Sequence, residues 1–169
     1  MNTAPPTPII NIELFSQLPA DIKNNLLKKI EWQLIDAGAN IILRDENDDR
    51  VFFIGSGSAQ VVNYSELGRM VSFASLMQGD CFGELSAIDG KPRSASVITK
   101  TECLIGTLVG EQFIIAVTKC EKTALKIMQR LANIIRIGDT RIESLSLMSA
   151  EQKICALLLT NLKNNPDEN

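Results

Sequence analysis

The sequence contains no histidine, which removes the commonest general base and the commonest metal ligand in proteins. Its cysteines are scattered, and no two of them form a C-x-x-C pair; they are Cys81, Cys103, Cys120 and Cys155. This spacing does not predict a zinc site, an iron–sulfur cluster or a disulfide framework. No pairing of a nucleophile with a base is evident either. We therefore predict a protein that is not an enzyme and holds no metal.

Basic segments and long apolar runs are also scarce. Lys and Arg number 17 against 20 Asp and Glu, for a formal charge of -3, and no segment is dense in Lys or Arg. Binding of DNA by this stretch alone is therefore not expected. No apolar run is long enough to span a bilayer, and the N-terminus lacks the basic and apolar regions of a signal peptide. We expect a cytoplasmic protein with reduced thiols and no membrane association.

Apolar residues nonetheless make up 45% of the 169 residues, enough for a core. Residues 1–14 are rich in proline and predict a flexible leader. Helical spacing of apolar residues over 20–30 predicts a short amphipathic helix. Between Trp32 and Leu108, short apolar runs alternate with turn residues, including those at 66–68. Many short strands with closely spaced turns predict a β-sandwich or β-barrel, within a domain that covers 15–118.

The pattern becomes helical after Val109. No proline and a single glycine occur over 119–148, where apolar or small residues recur at alternating steps of four and three. These positions are Ala124, Met128, Leu131, Ile135, Gly138, Ile142 and Leu145. The heptad spacing predicts that two copies of the chain pair in parallel through residues 124–145. The alternative is a helix that packs on its own barrel through a second apolar face, formed by Leu125, Ile127 and Ile134.

The last segment, 149–169, begins with Ser149-Ala150-Glu151-Gln152, which has the pattern of a capping box. It predicts the start of another helix, whose apolar residues are Ile154, Leu157, Leu158 and Leu162. So apolar a helix with so little chain after it suggests that something which normally covers it is absent.

The strongest functional signal lies within residues 79–97. A glycine such as Gly83, followed by a tight helical turn, presents main-chain N–H groups that can bind an anionic oxygen. Arg93 adds a planar fork of donors that suits a phosphate, and Glu84 can accept a hydrogen bond from a sugar hydroxyl. A nucleoside-triphosphatase loop is excluded, because Pro92 follows Lys91 where Ser or Thr is required.

Two segments, Phe82-Gly83-Glu84-Leu85-Ser86 and Pro92-Arg93-Ser94-Ala95-Ser96-Val97, resemble the phosphate-binding cassette of the cyclic-nucleotide-binding domain. This domain occurs in cyclic-nucleotide-regulated kinases and channels and in bacterial regulators similar to the cyclic-AMP receptor protein. The resemblance implies a mainly β fold with helices, namely a jelly-roll β-barrel flanked by short helices and followed by a long dimerisation helix at 119–148.

The resemblance also implies a role for each site residue. Main-chain N–H groups at the start of the cassette bind the ligand, Glu84 accepts the ribose 2′-OH, and Arg93 pairs with the cyclic phosphate. Asp139 and Thr140 on the long helix lie near positions that contact the base in the bacterial relatives. The implied ligand-binding set is Gly83, Glu84, Leu85, Ser86, Arg93, Ser94, Ala95, Asp139 and Thr140.

We therefore predict the sensor part of a homodimeric bacterial transcription regulator, with the DNA-binding domain absent from 149–169. Cyclic AMP is favoured by the bacterial type of helix, and cyclic GMP stays open, since a hydroxyl residue such as Ser94 occurs in binders of both nucleotides. Two alternatives stay open as well. One is a scaffold module that has kept the fold without a ligand, and the other is a stand-alone sensor that acts on a protein partner.

Overall fold

The computed structural model describes residues 12–64 and 70–147, together with Ser149, Gln152, Ile154, Cys155 and Leu158. The first eleven residues of the predicted leader, the turn at 66–68 and most of the segment 149–169 lie outside the described residues. The chain divides into two compact units, Met1–Ile127 and Met128–Asn169. Each unit is described by itself.

Eight strands occur in the described part of the first unit, and all their pairings are antiparallel. They are β1 (Glu31–Ile35), β2 (Asn40–Ile42), β3 (Val51–Ser56), β4 (Ser58–Tyr64), β5 (Met70–Met77), β6 (Cys81–Phe82), β7 (Ser96–Thr99) and β8 (Cys103–Leu108). They form two four-stranded sheets, in the orders β1-β8-β3-β6 and β2-β7-β4-β5. These two sheets confirm the prediction of a β-sandwich or β-barrel.

Along the chain, the helices of the first unit come before β1, between β6 and β7, and after β8. A short 3₁₀ helix (Glu13–Phe15) precedes the regular helices, which are α1 (Ala20–Leu27), α2 (Glu84–Asp89), α3 (Gly110–Thr118) and α4 (Glu121–Leu147), the last of which continues into the second unit. Helix α2 starts directly after Gly83 and ends directly before Gly90, and both glycines have left-handed backbone angles. Among the described residues, no helix is both long enough and apolar enough to cross a membrane.

Alternating side chains of β3 reach two different layers. Phe52 and Ile54 belong to a buried core shared by both sheets, together with Ile105 of β8 and Val97 of β7. Phe53 points the other way and packs its ring 5.3 Å from that of Phe15. Burial on both faces explains why β3 is a continuous apolar run. It also fixes the register of β3, which positions the loop that precedes it.

Helix α4 changes character along its length. In the first unit, Thr123 and Ile127 are buried. In the second unit, Met128, Ile135 and Ile142 at the predicted pairing positions are 58%, 63% and 65% exposed, whereas Leu131 is half-buried. The side chain of Leu145 lies outside the described part. The alternative apolar face is not buried as a whole, because Leu125 and Ile134 are exposed while Ile127 is buried.

The predicted capping box is confirmed. The main-chain N–H of Ser149 donates to Oε1 of Gln152 at 2.9 Å, and the main-chain N–H of Gln152 donates to Oγ of Ser149 at 3.3 Å. Of the described positions from this point on, Gln152, Ile154, Cys155 and Leu158 are helical. A helix that begins here satisfies two of the N–H groups that a helix start leaves without partners.

Candidate functional site

Gly83 connects β6 to α2 and has φ of 80°, in the left-handed region. A Cβ atom at this position would lie 2.7 Å from Nη1 of Arg93 and 3.1 Å from the main-chain oxygen of Arg50. Only glycine combines this backbone angle with so close an approach. The residue therefore allows the guanidinium of Arg93 to lie directly against the start of α2.

The side chain of Arg93 is buried, with only 2% of the residue exposed. Its Nη1 donates to the main-chain oxygen of Gly83 at 2.8 Å, and its Nη2 donates to that of Arg50 at 2.7 Å. Nη2 also forms an ion pair with Oδ2 of Asp48 at 2.8 Å. The terminal nitrogens of this guanidinium thus hold three groups of the protein, which fixes its position between α2 and the β2–β3 loop.

The third nitrogen of the same guanidinium, Nε of Arg93, is buried without a hydrogen-bond partner. The guanidinium lies 5.5 Å from the centre of the Phe52 ring, and this ring stacks on that of Phe82 at 5.4 Å. An arginine packed on an aromatic ring gains from the cation–π attraction. A buried donor without a partner is costly to the folded state.

Asp48 lies between two arginines. Its Oδ1 accepts from Nε of Arg50 at 2.9 Å, and its Oδ2 accepts from Nη2 of Arg50 at 3.1 Å, besides pairing with Arg93. We call Arg50, Asp48 and Arg93 the Arg–Asp–Arg cluster. Burial would raise the pKa of Asp48, but hydrogen bonds from both arginines outweigh this and hold the pKa well below its ordinary value. The hydrogen bond to Asp48 raises the pKa of Arg50. Asp48 and Arg50 are therefore both charged near neutral pH.

The other predicted site residues of the first unit surround Gly83 and Arg93 along the chain. Glu84 and Ser86 are buried on α2, each 4% exposed, whereas Leu85 between them is exposed. Ser94 is exposed and Ala95 is half-buried. The structure thus brings Gly83 into contact with Arg93 and buries the carboxylate that comes next to Gly83 in the sequence.

Asp139 and Thr140 lie on α4 in the second unit, and both are exposed. The hydroxyl of Thr140 donates to the main-chain oxygen of Arg136 at 3.0 Å. This bond spans one helical turn, as is usual for threonine in a helix. The roles predicted for both residues in contacting the base stay predictions.

Three residues of the site were not evident from the sequence pattern, namely Asp48, Arg50 and Phe52. The polar run at 45–50 predicts only a turn, and Phe52 predicts only a strand residue. The structure pairs this loop with the residue after Pro92, because the main-chain N–H of Arg93 donates to the oxygen of Glu46 at 2.9 Å. An aspartate two residues before an arginine was the only local signal of the cluster.

A groove of about 440 Å³ opens beside the site. It is lined by residues of β1, β2, β3 and β8 and by Arg50, and it shares Arg50 and Phe52 with the site. No residue of the segment 83–95 lines this groove. The groove therefore lies beside the contact between Gly83 and Arg93 and does not include it. Within the described residues, no group of three or more His, Cys, Asp and Glu side chains is placed to hold a metal ion.

The family of this chain follows from its match to a known sequence model. The sequence model of the cyclic nucleotide-binding domain matches residues 32–119, which is more than half of the chain. The chain belongs to the cyclic nucleotide-binding domain family. The matched range contains both sheets except the first residue of β1, as well as α2, α3 and the whole Arg–Asp–Arg cluster.

Relatives of this cyclic nucleotide-binding domain are regulators. The chain is 31% identical over 102 residues to the cAMP-dependent protein kinase regulatory subunit of Yarrowia lipolytica, a match that covers 60% of this chain and 26% of that protein. It is 25% identical over 130 residues to the cAMP-activated global transcriptional regulator CRP of Salmonella typhimurium, which covers 76% and 61%. The chain thus spans about a quarter of the first relative and less than two thirds of the second.

Among solved structures, the Thermus thermophilus catabolite activator protein superimposes with a TM-score of 0.70. The sequences are 23% identical, and the match covers 79% of this chain and 62% of that one. At this identity the similarity establishes the fold. Together with the family match, it confirms the prediction of a jelly-roll cyclic-nucleotide-binding fold with a long helix after it.

Proposed function

We propose that this domain senses cyclic AMP as part of a homodimeric bacterial transcription regulator. The observation that carries the proposal is the buried guanidinium of Arg93, which is fixed against Gly83 and retains one donor, Nε, without a partner. A cyclic phosphodiester carries one negative charge and has oxygen atoms that accept hydrogen bonds from such a donor. Binding the ligand would satisfy the buried Nε and match its charge in a site with restricted access to water.

The neighbouring residues supply complementary groups. Glu84 is buried in the first turn of α2, and a carboxylate there can accept the ribose 2′-OH. The first N–H groups of a helix have no partner within the helix, so those near Gly83, Leu85 and Ser86 are suited to the phosphate oxygens. Ser94 and Ala95 come directly after Arg93 and would add a hydroxyl and a main-chain amide. We assign Asp139 and Thr140, on α4, to the base.

Cyclic AMP is proposed ahead of cyclic GMP because the names of the Yarrowia lipolytica and Salmonella typhimurium relatives both refer to cAMP. Isothermal titration calorimetry of the purified chain with each nucleotide tests this choice. We expect saturable binding of cyclic AMP and weaker binding of cyclic GMP. Tighter binding of cyclic GMP would change the assigned ligand. Absence of heat with both nucleotides on folded protein would favour the alternative of a scaffold module without a ligand.

The exposed apolar positions of α4 support the pairing of two chains. Ile135 lies at a pairing position and is 63% exposed. Ile135→Glu would place a charge in a paired interface, and we expect the dimer to dissociate at least about tenfold more readily. Sedimentation equilibrium over a range of concentrations measures this change.

Asn133→Glu provides the matched control for the pairing prediction. It adds the same charge to the same helix two residues away, at an exposed position outside the heptad seam. The control is expected to keep the association of the unchanged chain. A monomeric unchanged chain, or equal behaviour of both variants, would contradict pairing through residues 124–145 and leave the stand-alone sensor as the better description.

The transcriptional part of the proposal concerns the segment after α4. The Ser149–Gln152 capping box starts a new helix, and a shift of α4 on ligand binding would move this helix. In the proposed domain organisation, 15–118 is the sensor barrel, 119–148 is the pairing helix and 149–169 holds the start of a following helix. Fusing the DNA-binding domain of a CRP relative to this chain and measuring operator binding with and without cyclic AMP tests the transfer of the signal.

A further inference from the structure

Arg50 holds Arg93 in place by two separate contacts. Its side chain binds both carboxylate oxygens of Asp48, whose Oδ2 also pairs with Nη2 of Arg93. Its main-chain oxygen accepts from the same Nη2 at 2.7 Å. The guanidinium of Arg50 lies 5.7 Å from the centre of the Phe52 ring, on which Arg93 also packs. Arg50 is thus adjacent to the phosphate-binding arginine while its own charge is directed at Asp48.

The charged residues near Arg93 determine how the contacts of Arg50 affect an anionic ligand. The β2–β3 loop contains four acidic residues, Asp45, Glu46, Asp48 and Asp49. Asp45 pairs with Arg44 at 3.6 Å, and both of these side chains are exposed. Glu46 and Asp49 stabilise the charged form of Arg50 by their negative charge. A phosphate that approaches Arg93 therefore encounters a largely acidic loop, whose own arginines are Arg44, paired with Asp45, and Arg50, paired with Asp48.

The Arg–Asp–Arg cluster has two positive groups and one negative group, so that one positive charge remains for the ligand. Without Arg50, the carboxylate of Asp48 would pair with Arg93 alone and the net charge would fall to zero. An anionic ligand would then compete with Asp48 for the same guanidinium. Partial burial strengthens this competition, because charges interact more strongly where water is excluded.

We propose that Arg50 is a positioning residue of the phosphate site, which binds Asp48 and thereby leaves the charge of Arg93 available to a phosphodiester. The inference rests on the proposed binding of a cyclic nucleotide. It predicts that the effect of losing Arg50 depends on the presence of the Asp48 carboxylate. A residue that only supports the fold would not show this dependence.

The test is a double-mutant cycle of Arg50→Gln and Asp48→Asn, with the affinity for cyclic AMP measured by calorimetry. Arg50→Gln removes a positive charge next to Arg93, and we expect it to weaken binding by about tenfold. In the double variant the net charge of the cluster is again that of Arg93 alone. We expect its affinity to return to within about threefold of the unchanged chain, a rescue that reports coupling between the two residues.

Two further variants define the controls. Arg44→Gln removes the same charge from an exposed arginine of the same loop, and its affinity is expected to stay within about twofold of the unchanged chain. If Arg50→Gln fails to fold, Arg50→Met keeps the aliphatic cover of the Phe52 ring and carries the same prediction. Thermal unfolding of every variant establishes that the affinities compare folded proteins.

The outcomes separate this inference from the proposed function. Equal affinity of Arg50→Gln and the unchanged chain would overturn the inference and leave nucleotide binding intact. A double variant that binds as weakly as Arg50→Gln would also overturn it, because loss of the Arg50 guanidinium would then weaken binding even without the Asp48 carboxylate. No binding of cyclic AMP or cyclic GMP by the unchanged chain would overturn the proposed function, and with it the inference that rests on it.

Discussion

Arg93→Ala is expected to weaken the binding of cyclic AMP by about 100-fold or more. The substitution removes the buried guanidinium, and charge-assisted hydrogen bonds are each worth about 1.5–3 kcal/mol. Loss of a single such bond to the phosphate, together with its charge, corresponds to a change of this size. Calorimetry measures the effect directly, and competition with a fluorescent analogue extends the range to weak variants.

Two control variants are needed to interpret the affinity of Arg93→Ala. Arg93→Lys keeps the charge and loses the planar fork that spans Gly83, Arg50 and Asp48, so most of the affinity should still be lost. Arg44→Ala removes an exposed arginine of the β2–β3 loop and should bind normally. An affinity of folded Arg93→Ala within about threefold of the unchanged chain would contradict the role assigned to this arginine.

Gly83→Ala is expected to lower both the free energy of unfolding and the affinity for cyclic AMP. A non-glycine residue in the left-handed region costs about 1–2 kcal/mol. The new Cβ would also lie 2.7 Å from Nη1 of Arg93 and 3.1 Å from the oxygen of Arg50, so the guanidinium must move. We expect a destabilisation of about 2 kcal/mol and at least about a tenfold loss of affinity. Denaturant unfolding and calorimetry measure the two effects.

The chain offers a matched control for this substitution at the other end of α2. Gly90 has φ of 68°, also in the left-handed region, and its added Cβ would meet nothing within 4 Å. Gly90→Ala therefore introduces the backbone strain without the contact on Arg93. It should lower stability by about 1 kcal/mol and leave binding nearly unchanged. Equal affinities of the two variants would show that the close approach of Gly83 to Arg93 does not position the guanidinium for the ligand.

The parts of the fold that could be predicted are those specified by local pattern. Short apolar runs between turn residues predicted most of the strands, and the reciprocal Ser149–Gln152 pattern predicted a helix start. The cassette motif implied that Gly83 and Arg93 are close, because it places both residues within one short connection from β6 to β7, but the hydrogen bond between them was not predicted. In each case the residues that interact are close in sequence, or a motif of known spacing joins them.

The Arg–Asp–Arg cluster could not be predicted because its members come from distant parts of the chain. Asp48 and Arg93 lie more than forty positions apart, and they meet only because β2 pairs with β7 while β3 pairs with β6. A run of acidic residues before a strand is most often a solvated turn, so the sequence offered no reason to assign Asp48 a buried partner. Three of the predicted pairing positions on α4 are exposed, but Leu125, Ile134 and Ile137 outside the heptad pattern are exposed too, so pairing itself stays a prediction.

The position of the Arg–Asp–Arg cluster beside an acidic loop also affects the rate at which an anion can bind. The whole chain carries a formal charge of -3, so its long-range field repels a negatively charged nucleotide. Attraction by the spare charge of the cluster extends only over about a Debye length, roughly 8 Å at physiological ionic strength. Electrostatic steering should therefore contribute little to the association rate, and tight binding would have to come from slow dissociation once the phosphate has reached Arg93.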